Sequence, residues 1–251
     1  MLGKLFKYEF KATGRILPLI YVLMMAVAFL FGIIFRMDVY IGRVSLLIFI
    51  AASVALVLMT VIILIQRFYK NLLGNEGYLM MTLPVSAGSH VSCKIISAAL
   101  WIVLGGLTGA VSVVLLLLGA EGGFLYLKDI EILELFKMGF TGSQGTFCVI
   151  MTIVLLIIAC AEMAAKIYEA IALGHQWSNH RALGAVLAYI GFSVIEAVVS
   201  SPLRFEFILD YGMNFGDYQQ IIFTAIGLVA ALLAVYWFVA WILVKKRLNL
   251  Q

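Results

Sequence analysis

The sequence predicts an all-α membrane protein with six transmembrane helices, and three observations carry that expectation. Of its 251 residues, 65% are hydrophobic and only 12% charged, with a mean hydropathy of +1.13; soluble domains carry about 25% charged residues. The apolar residues gather into six runs, each long enough for the roughly 20 residues a bilayer crossing needs. These runs are rich in Leu, Ile, Val and Ala and do not alternate with polar lumen residues, and the chain has only three prolines. Helices therefore satisfy the backbone in lipid, not barrel strands. A soluble fold is excluded, and residues 1–251 form one transmembrane domain.

Residues 1–15, MLGKLFKYEFKATGR, come first. At helical spacing Leu2, Leu5, Phe6 and Phe10 share one face, while Lys4, Lys7 and Lys11 share the opposite one. That is the pattern of an amphipathic helix lying on anionic headgroups; a basic tail that merely sets topology is the alternative. The first span covers about 16–35. Ala26-Val27-Ala28 has the small-residue form of a signal-peptidase site, but apolar residues run well past it, and an uncleaved anchor is expected.

A short link with Arg36, Asp38 and Arg43 leads to a second span at about 44–65. The third covers about 95–118, where Gly105, Gly109 and Ser112 share a face suited to close helix approach. A loop at 119–145 holds Glu121, Asp129, Glu131 and Glu134 among apolar residues, read as a short amphipathic piece. The fourth span is about 146–168 and the fifth about 182–201, ended by Pro202. An aromatic loop precedes the sixth, at about 220–244. No internal repeat stands out.

Charge sets the orientation. With both termini cytoplasmic, the inner segments hold twelve Lys/Arg and the outer ones five, while eight of the thirteen acids lie outside. That is the positive-inside distribution. Trp237 and Trp241 then sit near the inner interface beside Lys245, Lys246 and Arg247, as interfacial anchors. The net charge of +4 is no nucleic-acid signal, because its distribution is explained by topology. Cys93, Cys148 and Cys160 form no CxxC pair, and Cys148 and Cys160 would lie about 18 Å apart on one helix; free thiols are expected.

The chain is organised around 66–94, QRFYKNLLGNEGYLMMTLPVSAGSHVSCK, between the second and third spans. Gly74 and Gly77 break a continuing helix, Pro84 forces a second break, and Ser86 is placed to cap the helix that follows. A basic, structured loop on one face of a membrane protein suits docking to something else. The run EGYLMMTLPVS, followed by a lysine that opens a membrane helix, resembles permease subunits of Gram-positive ABC transporters of the ABC-2 type. Residues 172–190, ALGHQWSNHRALGAVLAYI, resemble the second cytoplasmic loop of the same permeases.

That resemblance, with the six-span layout, covers nearly the whole chain. It implies an N-terminal elbow helix at 1–15 and cytoplasmic coupling helices in the two inner loops. It also implies a bacterial cell membrane, a dimer with a second permease chain, identical or not, and separate ABC ATPase subunits that bind ATP and Mg. By the same likeness Glu76, Gly77, Leu83, Pro84 and Ser86 belong to the first coupling region, and Gly174, His175, His180 and Arg181 to the second.

Catalytic motifs are missing. The only Gly-Lys pair is Gly3-Lys4, followed by Leu, so the chain carries no phosphate loop of its own and no nucleotide cofactor. HExxH is absent, and the five-residue spacing of His175 and His180 is wrong for two metal ligands on one helical turn. Neither an enzyme nor a metal site is expected.

Three ionisable groups enter the membrane region, where a charge at mid-bilayer costs about 2.5–3.5 kcal/mol. Glu162 and Lys166 are spaced i, i+4 and read as a local structural pair, with Lys166 also free to snorkel. Glu196 lies about 21 Å along its helix from Ala182, on a stripe with Tyr189, Ser193 and Ser200. Such a stripe faces protein or water and not lipid. Either it is a packing face with Glu196 protonated or hydrogen-bonded, or it is a wall of a translocation route or a dimer seam.

The leading expectation is thus the permease subunit of an ABC exporter, moving a peptide, an antibiotic or an amphipathic, lipid-like substrate. Two others stand beside it: a scaffold or sensor subunit that docks a cytoplasmic protein through 66–94, and an ion-coupled carrier, for which the intramembrane charge is scant.

Overall fold

The computed structural model describes residues 2–37, 39–73, 85–121, 142–177, 180–209 and 215–246. They form helices with no strand. An amphipathic α1 (Leu2–Thr13) is followed by α2 (Leu17–Met37), α3 (Val39–Phe68, continued by a π-helical turn Tyr69–Leu73), α4 (Ala87–Glu121), α5 (Gly142–Gly174), α6 (Arg181–Leu209) and α7 (Phe215–Lys246). Helices α2 to α7 are each long and apolar enough to cross a membrane, so this is a multi-pass helical membrane protein.

The helices pack as two groups. In one, α2 lies against α3 and, most extensively, α4, with α1 against α4. In the other, α5 lies against α6 and α7, and contacts of α4 with α5 and α7 join the groups. One end of the bundle, here called the basal end, gathers α1, the C-terminal ends of α3, α5 and α7, and the N-terminal ends of α4 and α6. Phe68 stacks on Tyr168 (4.2 Å between ring centroids), Tyr69 meets His175 edge-on, and Trp237 Nε1 donates to Ser92 Oγ at 2.9 Å. Trp241 stacks on Trp237 and carries Lys245 over its ring at 5.0 Å, a cation–π contact suited to an interface.

Ser86 caps α4 as expected: its Oγ accepts from the Ser89 amide at 3.3 Å, and its carbonyl accepts from the amides of Ser89 and His90. The three cysteines are free. Gly74, Gly77, Pro84 and residues 122–141 of the loop expected at 119–145 lie outside the described residues, while 119–121 and 142–145 belong to α4 and α5.

Three expectations change. All six spans are longer than their apolar cores, because helices in a bundle continue past the hydrocarbon where neighbours still pack; α5 in particular runs to Gly174 and takes Glu162, Lys166 and Glu169 into its buried face. Pro202 does not end α6, which continues to Leu209. A proline at 202 has no amide hydrogen for the Val198 carbonyl, and the Ser201 hydroxyl donates to that carbonyl instead, at 2.8 Å.

The close approach of α4 to α2 is also not where Gly105 and Gly109 suggest. A Cβ on Gly109 would meet nothing within 4 Å, and one on Gly105 the Tyr21 side chain, its hydroxyl at 3.1 Å and its ring edge behind. Gly32 of α2 and Gly119 of α4 are the true contact: a Cβ on Gly32 would fall 2.2 Å from the Leu116 carbonyl oxygen and 2.8 Å from the Gly119 Cα. Of the expected face, Ser112 is wholly buried.

Candidate functional site

The basal end holds an ionic clamp that joins three helices. Glu9 of α1 accepts at Oε1 from Lys94 Nζ of α4 (3.0 Å) and from Arg67 Nε of α3 (3.3 Å). The Lys94 side chain is 4% exposed and that of Glu9 10%, so this pair is largely withdrawn from solvent. Burial alone would push the Glu9 carboxyl up; the positive charges of Lys94 and Arg67 outweigh it and hold the group below the usual carboxylate range.

One turn further, Thr13 Oγ1 donates to the Glu9 carbonyl at 2.9 Å and accepts from Trp101 Nε1 at 2.8 Å, while Phe10 stacks on the Trp101 ring at 4.7 Å. The Trp101 carbonyl accepts from the Tyr21 hydroxyl at 2.9 Å. The amphipathic α1 is thereby fastened to α3 and α4 through its packing face, and Trp101 links it onward to Tyr21 of α2.

Glu9 was invisible to a reading that sorted α1 into lysine and leucine faces. Its angular position is the signal: it falls between Leu2, Phe6 and Thr13, on the packing side, as the one acid among four cations in residues 1–15.

Of the first expected coupling region, Glu76, Gly77, Leu83 and Pro84 lie outside the described residues, and Ser86 is the cap of α4 already noted. The second is a tight connection with no helix of its own among the described residues. The amides of His175, Gln176 and Trp177 bond back to Ile171, Leu173 and Gly174, and the His180 carbonyl accepts from Gly184. Gly174 is buried because α6 passes directly over it; a Cβ there would stand 2.3 Å from the Ala185 amide nitrogen. His180 is exposed, while His175 and Arg181 turn towards a groove.

That groove, about 590 Å³, runs between α3, α5 and α6 at the basal end. Val61, Ile65, Ile167, Ala185 and Val186 make its apolar walls, and Tyr69, His175, Arg181 and Tyr189 supply its few polar groups.

The stripe on α6 faces α5. Tyr189, Ser193, Glu196 and Ser200 are all half-buried, Glu196 Oε2 accepts from Lys166 Nζ at 2.5 Å, and the same ammonium lies 5.4 Å from the Tyr189 ring centre. Lys166 therefore does not snorkel, and its main partner is not Glu162, whose Oε1 stays 4.0 Å away. An i, i+4 pair on a helix was outcompeted by a carboxylate on the neighbouring helix that a lysine reaches straight across. Glu169, one further turn along the same face, is 2% exposed, and its Oε2 has no hydrogen bond among the described residues. Glu169 lies one residue beyond the span expected at about 146–168, where the apolar run stops.

No group of His, Cys, Asp and Glu able to hold a metal occurs among the described residues. Comparison of the chain with protein-family models, curated proteins and solved structures finds no match.

Proposed function

We propose that this chain is the permease subunit of an ABC-2-type exporter, lying in a bacterial cell membrane with the basal end and both termini in the cytoplasm. Its ATP is hydrolysed by a separate ATPase, and it works paired with a second permease chain. The sequence likeness at 76–86 and 172–190 suggests the family. The observation that carries the mechanism is the Glu9–Arg67–Lys94 clamp. It ties α1, α3 and α4 together at the two helix ends between which residues 74–84 are strung.

A push on such a loop passes to two membrane helices and an interfacial one as a single body, as energy transfer from an external ATPase requires. In this reading α1 is the elbow helix, and the loop at 74–84 and the turn at 174–181 are the docking surfaces. The half-buried groove and the Tyr189–Glu196 stripe lie on the α5–α6 side, where a route for an amphipathic peptide, antibiotic or lipid-like molecule would run.

One observation favours a second reading, a scaffold or sensor subunit. The stripe is turned to helix packing, with Glu196 held by Lys166, and a packing face has no need of a transported substrate.

Mild-detergent purification of the tagged chain from its native cells separates the two. Transport expects a co-purifying ABC ATPase whose activity falls when Leu83 and Pro84 are replaced while the protein stays inserted. Recovery of a cytoplasmic protein without ATPase activity, held through the same loop, overturns the transporter reading and leaves the scaffold.

A further inference from the structure

The groove between α3, α5 and α6 has the dimensions of a lipid seat. From Val61 to Tyr69 it follows α3 for about 12 Å at 1.5 Å per residue, close to the depth of one hydrocarbon leaflet, about 15 Å. Its walls are apolar along that length, and Val186 at its rim is 58% exposed, so the groove communicates sideways with whatever surrounds α6. At its basal mouth stands Arg181, which makes no ion pair among the described residues. Tyr69, 40% exposed, and Trp177, 53% exposed, flank this level, where aromatic side chains prefer a headgroup region.

We propose that this groove binds one anionic phospholipid from the leaflet at the basal end, with an acyl chain along Val61, Ile65 and Ile167 and its phosphate on the Arg181 guanidinium. In a bilayer the solvent beside α6 is acyl chain, so an apolar slot open to the side fills with one. The planar guanidinium at its mouth then selects for a headgroup it can bind through two parallel N–H···O bonds. Anionic lipid is already concentrated there, because Lys4, Lys7, Lys11 and Lys245 are exposed at the same end. The proposal rests on the membrane-spanning arrangement alone and stands whether or not the chain transports anything.

The test is native mass spectrometry of the full chain released from vesicles of equal parts phosphatidylcholine and phosphatidylglycerol. The wild type is expected to keep one phosphatidylglycerol per chain. Arg181→Gln should retain it about tenfold less well, the scale of one lost charge-assisted contact, with Arg181→Lys between the two. Ala182→Trp, which fills the mouth while leaving Arg181, should exclude lipid. Lys245→Gln, an exposed cation at the same end but away from the groove, should retain it as the wild type does, and excess inorganic phosphate should not displace it.

Equal retention by Arg181→Gln and wild type overturns the proposal. So does equal loss in Lys245→Gln, which would make the attraction a general surface effect, and so does displacement by free phosphate. A lipid-free dimer in place of a lipid-bound chain would assign the groove to a second copy. Arg181 sits at the accessible mouth and not in the core, so its variants report on binding even if Ala182→Trp fails to fold.

Discussion

Glu9 and Lys94 are 85 positions apart in the chain and meet at 3.0 Å, one on an interfacial helix and the other at the start of a membrane span. Lys94 is 4% exposed, and Glu9, on the packing face of α1, shares the same carboxylate oxygen between Lys94 and the more distant Arg67 at 3.3 Å. Removing the acid leaves two cations, Lys94 and Arg67, facing one another in a poorly solvated place. Glu9→Gln should therefore destabilise the protein by about 3–5 kcal/mol, the cost of breaking a buried pair from one side. A clear drop in melting temperature in mild detergent is expected, with much of it recovered in Glu9→Gln/Lys94→Met. An unchanged melting temperature in the single variant would show that α1 is not held by this pair.

The same clamp sets an acid limit. The carboxyl of Glu9 lies below its ordinary value of 4.5 in the folded chain. Its ionised form therefore stabilises the fold above that value, and the stabilisation is lost as pH falls through the lower folded value. Melting temperature should fall on acidification below about pH 4.5 more steeply for the wild type than for Glu9→Gln; parallel curves would assign the acid sensitivity to other carboxylates.

Gly32 and Gly109 give opposite expectations for one kind of change. Gly32→Val puts a side chain into the Leu116 carbonyl and the Gly119 backbone, which cannot move without separating α2 from α4, so little folded protein should be recovered. Gly109→Val meets nothing and should fold as the wild type does. Fluorescence-detected size exclusion of tagged variants distinguishes them, and equal recovery of both would place the α2–α4 contact elsewhere.

For Glu196, charge removal should act through Lys166. Glu196→Gln leaves the ammonium with the more distant Glu162 and the Tyr189 ring among the described residues, and a loss of stability is expected that Lys166→Met/Glu196→Gln largely restores. If melting is unaffected by Glu196→Gln while transport or stimulated ATPase activity changes, the carboxylate faces a route and not a helix.

Stacking at the basal end is the last case. Phe68 is fully buried and lies parallel to Tyr168 at 4.2 Å. Phe68→Ala should cost about 3–5 kcal/mol, read as a lower melting temperature, whereas Phe68→Leu should recover a good part of it.

The helical class and the six crossings were legible because long apolar runs have no other stable use, and the cap at Ser86 because its chemistry is local. The Glu9–Lys94 and Lys166–Glu196 pairs were not. Each joins helices whose neighbour relations no one-dimensional pattern contains, and an i, i+4 partner such as Glu162 looks better than a cross-helix one until the helices are placed. The same holds for Gly32 with Gly119: small residues are common on both helices, and only packing says which face inward. Pro202 misled because the rule for proline counts the missing amide and not the hydroxyl of Ser201 beside it.

The bond between Lys166 and Glu196 also bears on how the chain enters its membrane. Lys166 belongs to α5 and Glu196 to α6, and within α5 itself the lysine has the more distant carboxylate of Glu162, at 4.0 Å. During synthesis α5 is complete before Glu196 has been made, so the bond from Lys166 forms only once α6 has followed. The close crossing of Gly174 and Ala185 folds the two back on one another at once. Entering lipid together as a hairpin, the two helices would bring both charges in already paired, below the cost of about 2.5–3.5 kcal/mol that each would meet alone.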